Sequence, residues 1–324
     1  PLFYNCTMDT NFIDKLKTNK SLFDENKALY IDDPLLENAA LKENNVFSPL
    51  ISKAIIEISG PDARTFLNSQ LTTDITKNIN NQVTISGYCN PKGRLLSIFY
   101  IFERENIFYI YTLANNTESI INKLNFYKLR ANCEIKILEG LIIGSHEVNK
   151  SMHDNKHSDK NLIEFIIGSL NYHLVTKTTH INYFIENFTC IGELTWAQLE
   201  YRNNQVFIND HFCEQFTPQM ISLDKMNGVS FDKGCYPGQE IVARTHYLGE
   251  SSKELYSFRL KNNYVDEKKE ISLLDITNYN DKNYSIISIS RENSSTLSGF
   301  LVKRKKYDEC IHIHDEKVYE IKGI

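Results

Sequence analysis

The chain has 324 residues, of which 41% are hydrophobic and 24% are charged. This composition is ordinary for a globular protein, and the length predicts two or three domains that can each bury a core. The 36 basic and 41 acidic residues leave a net charge of −5. Since there is no basic excess to neutralise a phosphate backbone, direct nucleic-acid binding is not expected.

The spacing of the cysteines and histidines argues against a metal centre. None of the seven cysteines belongs to a CxxC pair, so no zinc or iron–sulfur ligand set is predicted. His153 and His157 are four residues apart in a polar segment, which is interpreted as a solvated loop. No signal-type apolar segment and no run of about 18 apolar residues is present, so the sequence predicts no membrane span and a reducing cytoplasm.

Strands and helices alternate through the first half of the chain. A helix is predicted after Pro61, since Ala63, Phe66, Leu67 and Leu71 recur at helical spacing. Asn115 or Asn116 is expected to cap a second helix. The runs rich in β-branched and aromatic residues predict strands at 54–59, 83–88, 95–102, 107–112, 134–138, 141–145, 162–167 and 172–176.

Two further predictions concern the second half. Thr195-Trp196-Ala197-Gln198 fits a capping box, which predicts a helix from there to about Asn203. Residues 251–324 change in character, because short β-prone runs alternate there with polar turns. This pattern predicts a small C-terminal β-barrel, with strands at 254–260, 285–289, 299–303 and 318–321.

The segment from Asn227 to Arg244, which reads NGVSFDKGCYPGQEIVAR, is the most distinctive part of the sequence. Pro237 and Gly238 suit the two central positions of a type II turn. Cys235 stands just before this turn, so its thiol is expected to be presented at a bend. Nearby cations stabilise a thiolate, and Lys233 is the candidate cation for Cys235.

Structural interpretations of the same segment stay open. A single cysteine can be a small buried hydrophobic residue beside a turn. Glu240 and Arg244 are four residues apart and can form a local pair on a helix. They can also brace the loop that carries Cys235.

The octet KGCYPGQE, followed by an arginine, resembles the signature of the YgfZ family of folate-binding proteins, which are relatives of the T-protein (aminomethyltransferase) of the glycine cleavage system. Other segments agree with this resemblance in the same order. They are Gly60–Ala63, Phe66–Ile75, Cys89–Arg94 and Tyr127–Arg130.

The resemblance implies an α+β fold with two mixed domains of antiparallel sheets and helices, like the folate-binding domains of aminomethyltransferase. The expected boundaries are 1–140 and 141–250, with the C-terminal β-barrel at 251–324, and the first two domains can exchange segments. The implied function is that of a tetrahydrofolate-binding accessory protein, with a one-carbon derivative as the other candidate ligand. The resemblance further implies that such an accessory protein supports iron–sulfur cluster assembly or repair, and thereby tRNA modification.

The same resemblance implies which residues bind folate. Trp196 precedes the signature cysteine by 39 residues, which matches a folate-site tryptophan of the family, and an indole ring can stack on a pterin. The family's other folate-linked tryptophan falls at about Lys53, which can instead pair with the glutamate tail of folate. The remaining cofactor-binding candidates are Tyr236, Gln239, Glu240 and Arg244.

The sequence leaves three other functions open. A folate-dependent transferase of the aminomethyltransferase type needs the Asp pair of T-proteins, but Leu96 and Ser97 stand at those positions. A cysteine hydrolase needs a base near the thiol, and His246 is the nearby histidine; a protein-interaction module needs neither. The favoured reading is the accessory protein with Cys235 as its functional thiol, acting on iron–sulfur assembly proteins or cluster-dependent enzymes.

Overall fold

The computed structural model describes residues 22–24, 27–31, 33–76, 82–148, 162–261, 282–293, 296–306, 311–313 and 316–324. The helices are α1 (Pro34–Glu43), α2 (Ala63–Asn68), α3 (Thr117–Lys128), α4 (Thr178–Asn187), α5 (Glu193–Arg202) and α6 (Gln239–Leu248), with 3₁₀ turns at Asp210–Phe212 and Pro218–Ile221. A short antiparallel hairpin, β1 (Leu22–Asp24) and β2 (Lys27–Tyr30), comes before them.

The first large sheet is antiparallel and has the strand order β5-β6-β7-β4-β8. Its central strands are apolar on both faces because both faces are covered. Helices α2 and α3 cover one face, where Phe66, Phe99 and Leu124 share a core. The strands are β4 (Lys53–Ser59), β5 (Thr84–Cys89), β6 (Leu95–Arg104), β7 (Ile107–Leu113) and β8 (Glu134–Ile137).

The second sheet has the order β10-β11-β9-β3-β12 and takes one strand from the beginning of the chain. Strand β3 pairs antiparallel with β9 and parallel with β12. Helix α4 packs on one face through Phe184 and Ile181. The strands are β3 (Val46–Pro49), β9 (Leu141–His146), β10 (Ile163–Ile167), β11 (Leu170–Val175) and β12 (Thr189–Cys190).

The two sheets share one apolar core, which includes helix α5. Aromatic rings link the layers: Tyr111 of β7 lies 5.0 Å from Tyr172 of β11, and Tyr172 lies 6.0 Å from Trp196 of α5, measured between ring centroids. Offset and edge-to-face contacts of this kind stabilise a core beyond the area they bury. The described chain is therefore an α+β protein with mixed sheet-and-helix layers, as predicted.

The C-terminal part is all-β, as predicted, and forms a five-stranded antiparallel sheet with its own core around Phe258, Ile286 and Leu301. The strand order is β14-β15-β13-β17-β16. The strands are β13 (Lys253–Lys261), β14 (Tyr284–Asn293), β15 (Thr296–Arg304), β16 (His312–Ile313) and β17 (Glu316–Gly323).

The predicted N-cap of helix α5, Thr195, is wrong by three residues. The helix begins at Glu193 with Gly192 as its N-cap, so Thr195 lies inside the first turn. The Thr195 hydroxyl donates a 2.6 Å hydrogen bond to the buried Glu37 carboxylate instead of capping the helix. A capping box is a local pattern, and a partner 158 residues away in the chain overrides it here.

Candidate functional site

The turn that follows Cys235 has the predicted type II geometry. Gly238 has φ 81° and ψ 4°, and the Gln239 amide donates a 3.1 Å hydrogen bond to the Tyr236 carbonyl. Only glycine adopts this conformation at little cost. Helix α6 begins at Gln239, directly after the turn, so the turn and the helix fix the backbone on the C-terminal side of Cys235.

A second glycine turn packs against the first. Asn90 Oδ1 accepts hydrogen bonds from the amides of Lys92 and Arg94 at 2.9 and 3.0 Å, which holds the turn between β5 and β6. Gly93 in this turn has φ 69°. A Cβ atom on Gly238 would lie 2.5 Å from the Gly93 Cα atom. The two turns therefore meet at a distance that only glycine permits.

Cys235 is exposed, and it differs in this from the other cysteines of the described segments. Cys89 and Cys133 are buried, while Cys190 and Cys213 are partly buried. Burial raises the pKa of the Cys89 and Cys190 thiols, which keeps them protonated and unreactive. Accessibility thus singles out Cys235 as the thiol that a partner or reagent can reach.

Lys233 anchors the N-terminal side of the segment. Its ammonium group donates to the carbonyls of Asn68, Leu71 and Thr73 at 2.6, 2.7 and 2.9 Å. An ammonium group has three protons, so these carbonyls occupy all of them. The structure thus gives Lys233 a bracing role, and its predicted action as the cation for the Cys235 thiol stays a prediction.

The titration of Lys233 gives a test of this anchor. Burial lowers its pKa from 10.5 to about 8, and the charge of Asp74 opposes part of that shift. Between these values the unfolded chain holds a proton that the folded chain has released, so raising the pH favours folding. From about pH 8 to about pH 10.5, wild type is expected to gain up to about 2 kcal/mol of unfolding free energy relative to Lys233→Met. Urea denaturation of both proteins across this range measures the difference; a constant difference contradicts the shift.

The other signature residues surround the turn without forming the predicted local pair. Tyr236 is buried, and burial raises its pKa. Gln239 Nε2 donates to the Lys233 carbonyl at 3.3 Å, which closes the segment around Cys235. Glu240 and Arg244 are exposed on α6, and none of the ion pairs among the described side chains joins them.

His246 faces an aromatic ring. Its imidazole stacks on Phe231, with ring centroids 3.6 Å apart and an angle of 14° between the planes. The Tyr247 ring lies edge-on to Phe231, with ring centroids 6.1 Å apart. Among the hydrogen bonds of the described residues, none joins Cys235 to His246, the base that the cysteine hydrolase alternative needs.

Trp196 lies on α5, and Lys53 of β4 contacts the same helix through Glu200. Trp196 is 1% exposed, its ring lies edge-on to Tyr172, and its indole Nε1 has no hydrogen-bond partner among the described residues. Lys53 Nζ lies 3.1 Å from the Glu200 carboxylate, and their side chains are 6% and 12% exposed. The ammonium also lies over the Phe207 ring, 3.3 Å from its centroid. Lys53 therefore already has a carboxylate partner, one helical turn from Trp196.

The positions of the T-protein Asp pair carry no charge here. Leu96 is buried and packs with the core under α3. The Ser97 hydroxyl is buried 3.1 Å from the Thr112 hydroxyl. Neither side chain can neutralise an amine during transfer, so the site offers no support for an aminomethyltransferase reaction.

A cavity of about 720 Å³ lies between α3 and the turn that contacts Gly238. Cys89, Asn90 and Pro91 form one wall, while Lys123 and the exposed Phe126 belong to the helix side. Its volume lies within the usual range for small-molecule sites. The predicted folate residues Trp196, Lys53 and Tyr236 do not line it.

Within the part of the chain that the structure describes, no three His, Cys, Asp or Glu side chains are grouped to hold a metal ion. The pair His153 and His157 lies outside the described residues. None of the described helices is both long and apolar enough to cross a membrane.

Comparison with known proteins supports the resemblance seen in the sequence. The chain is 26% identical over 224 residues to the tRNA-modifying protein YgfZ of Aliivibrio fischeri strain MJ11, which covers 66% of this chain and 70% of that protein. It is 27% identical over 271 residues to the protein of the same name from Blochmanniella pennsylvanica, covering 74% and 81%. No protein-family model matches the chain.

The fold matches the crystal structure of the glycine cleavage system aminomethyltransferase T from Bartonella henselae. The TM-score is 0.73 over 97% of this chain and 94% of that one, at 11% sequence identity. The predicted resemblance to YgfZ proteins and the predicted aminomethyltransferase-like fold are both confirmed.

Proposed function

We propose that this protein is a folate-binding accessory factor of the cytoplasm that supports tRNA modification through assembly or repair of iron–sulfur clusters. Its similarity to proteins named tRNA-modifying protein YgfZ supports the link to tRNA. Its aminomethyltransferase-like fold supports tetrahydrofolate, or a one-carbon derivative, as the ligand. The net charge of −5 favours an effect on tRNA through a cluster-dependent enzyme rather than through direct contact.

The observation that carries this proposal is the exposed Cys235 on a rigid support. Three carbonyl contacts hold Lys233 on one side, and the type II turn with α6 holds the other. A thiol that is fixed and open to solvent suits contact with a protein partner or transfer of a small group. A cysteine needed only for packing would be expected in the core.

The proposed folate site keeps Trp196 as its stacking surface, and Tyr236, Gln239 and Glu240 stay predicted contacts of the ligand. Because Trp196 is buried, folate binding there requires α5 to separate from Tyr172 and Gly144, which now cover the ring.

The glutamate tail of folate needs a cation. Lys53 is the predicted candidate, but Glu200 already holds its ammonium group. The exposed guanidinium of Arg244 is better suited, since arginine pairs with carboxylates through two parallel hydrogen bonds. The contact between Lys53 and folate stays a prediction.

Cys235→Ser is expected to abolish support for a cluster-dependent tRNA-modifying enzyme while folate binding is retained. Serine preserves the size of the side chain but removes the thiolate chemistry. Enzyme activity is measured in cells that lack the endogenous homologue and carry either form of the protein. Folate binding is measured on the purified proteins by quenching of the single tryptophan, Trp196, during titration with tetrahydrofolate.

Three variants serve as controls. Cys213→Ser removes a partly buried thiol elsewhere and is expected to leave both readouts unchanged. Trp196→Phe has no tryptophan fluorescence, so its signal during the titration corrects for light absorbed by tetrahydrofolate. The affinity of this variant for tetrahydrofolate is measured by calorimetry. Weaker folate binding in Trp196→Phe, with normal binding in Phe126→Ala, supports the site on α5. Normal binding in Trp196→Phe, with weaker binding in Phe126→Ala, indicates instead that folate binds in the cavity beside α3. Full enzyme activity with Cys235→Ser would exclude the thiol as the functional group.

A further inference from the structure

Three polar side chains on one face of the second sheet form a continuous hydrogen-bonded series. Ser145 Oγ lies 3.0 Å from His173 Nε2, and His173 Nδ1 lies 2.8 Å from Glu164 Oε1. Ser145 and His173 are 3% and 7% exposed. The proposed folate function uses none of the three.

The strand register explains why these side chains meet. Glu164 of β10 is directly opposite His173 of β11, and Ser145 of β9 is directly opposite Asn171, two residues before His173. Since side chains alternate between faces, residues opposite each other and residues two apart share a face. Three adjacent strands therefore hold the series, which gives it a firmer support than a loop would.

The order of the hydrogen bonds fixes the protonation pattern of the imidazole. A carboxylate only accepts hydrogen bonds, so the proton on the Glu164 side belongs to His173 Nδ1. In the neutral ring, Nε2 then carries the lone pair and accepts from the Ser145 hydroxyl. A nucleophile, a base and a group that orients the base are thus arranged as in serine hydrolases, which are recognised by such geometry rather than by sequence order.

These side chains line a cavity of about 320 Å³ instead of being packed away from all open space. Phe184 belongs to its apolar wall, and its ring lies 5.0 Å from the His173 ring. Arg104 adds a cation to the lining. The volume is close to the lower limit for ligand sites, which suits a small ester with an apolar acyl group.

We propose that Ser145, His173 and Glu164 form a second active site, which hydrolyses small carboxylic esters. Ser145 Oγ bonds to the acyl carbon while its proton passes to His173 Nε2. The bond from the acyl carbon to the alcohol oxygen breaks, and the alcohol leaves with that proton. A water molecule then adds to the acyl carbon and transfers a proton to Nε2, which returns it to Oγ as the acid leaves. The net reaction converts one ester and one water into one acid and one alcohol.

Asn171 and Arg104 complete the chemistry of the cavity. Because Asn171 is opposite Ser145 in the register, its side chain lies on the same face, and both residues line the cavity. An amide donor there is suited to stabilise the oxyanion of the tetrahedral intermediate. The Arg104 guanidinium has five N–H groups, of which one donates to the Leu162 carbonyl at 3.1 Å. As a lining residue it supplies a positive charge to the cavity.

The test uses p-nitrophenyl acetate and a fluorophosphonate probe on the full-length protein. Activated esters also react with exposed thiols, so every comparison is repeated in a Cys235→Ser background. Saturable release of p-nitrophenol is expected, with kcat/KM reduced about 100-fold or more in Ser145→Ala and His173→Gln and about tenfold or more in Glu164→Gln. Peptide mass spectrometry is expected to place the phosphonyl group on Ser145.

Ser48→Ala is the matched control, since Ser48 is a fully buried serine on the adjacent strand β3 and is expected to leave turnover unchanged. Equal hydrolysis by wild type and Ser145→Ala would overturn the proposal, and so would a wild-type protein that the probe leaves unlabelled at Ser145. The labelling experiment needs no variant, so it decides the question even if Ser145→Ala fails to fold. Both readouts are independent of folate binding.

Discussion

Lys53→Met is expected to lower the free energy of unfolding by about 3–5 kcal/mol, because it leaves the Glu200 carboxylate without its cation in the core. The two side chains are 6% and 12% exposed, and the Lys53 ammonium also loses its contact with the Phe207 ring. Breaking one half of a buried ion pair costs far more than the pair itself contributes, since the remaining charge stays desolvated. Denaturation in urea, followed by circular dichroism, measures the loss.

Two further proteins make this result interpretable. The double variant Lys53→Met with Glu200→Gln removes both charges and keeps an acceptor for the Tyr111 hydroxyl, so most of the stability is expected to return. Lys136→Met breaks the pair between Lys136 and Glu57 on the same first sheet, where Lys136 is 49% exposed, and is expected to cost far less because water screens this pair. A similar loss in Lys53→Met and Lys136→Met would contradict the argument from burial.

Gly238→Ala is expected to destabilise the protein by about 2–4 kcal/mol and to displace Cys235. Two effects combine: the residue has φ 81°, and the added Cβ atom would lie 2.5 Å from the Gly93 backbone. The turn must then move away from its neighbour, which changes the position of the thiol. Urea denaturation measures the stability, and the rate of alkylation by iodoacetamide reports on Cys235.

Gly234→Ala is the matched control for this substitution. Gly234 precedes Cys235, and a Cβ atom built there meets no heavy atom within 4 Å. The variant is expected to stay within about 0.5 kcal/mol of wild type. If both alanine variants lost stability equally, the contact between the two glycine turns would not be what holds the segment.

The sequence was sufficient for most of the strands and for the turn at Cys235. Strand β6 was predicted at 95–102 and spans Leu95–Arg104, because runs of β-branched and aromatic residues identify buried strands locally. The type II turn was predictable since Pro237 and Gly238 restrict the backbone by themselves. Local chemistry of this kind does not depend on distant partners.

Contacts between distant residues could not be predicted in the same way. The salt bridge between Lys53 and Glu200 joins residues 147 positions apart, and nothing around either residue indicates the other. The series from Ser145 to Glu164 also depends on strand register, which is set by the whole sheet. The boundaries of the three predicted domains and the folate-site residues stay predictions.

Strand β3 has a consequence for how the chain folds as it is made. It lies between β9 and β12, so the second sheet cannot close until residues of β9 and β12 have emerged from the ribosome. Val46 pairs with His146, and at about 5–20 residues per second the earlier strand waits about 5–20 seconds for its partner. During that interval the first sheet can form, while the apolar β3 is unpaired and accessible to chaperones. Translation speed between the two strands is therefore expected to influence the yield of folded protein.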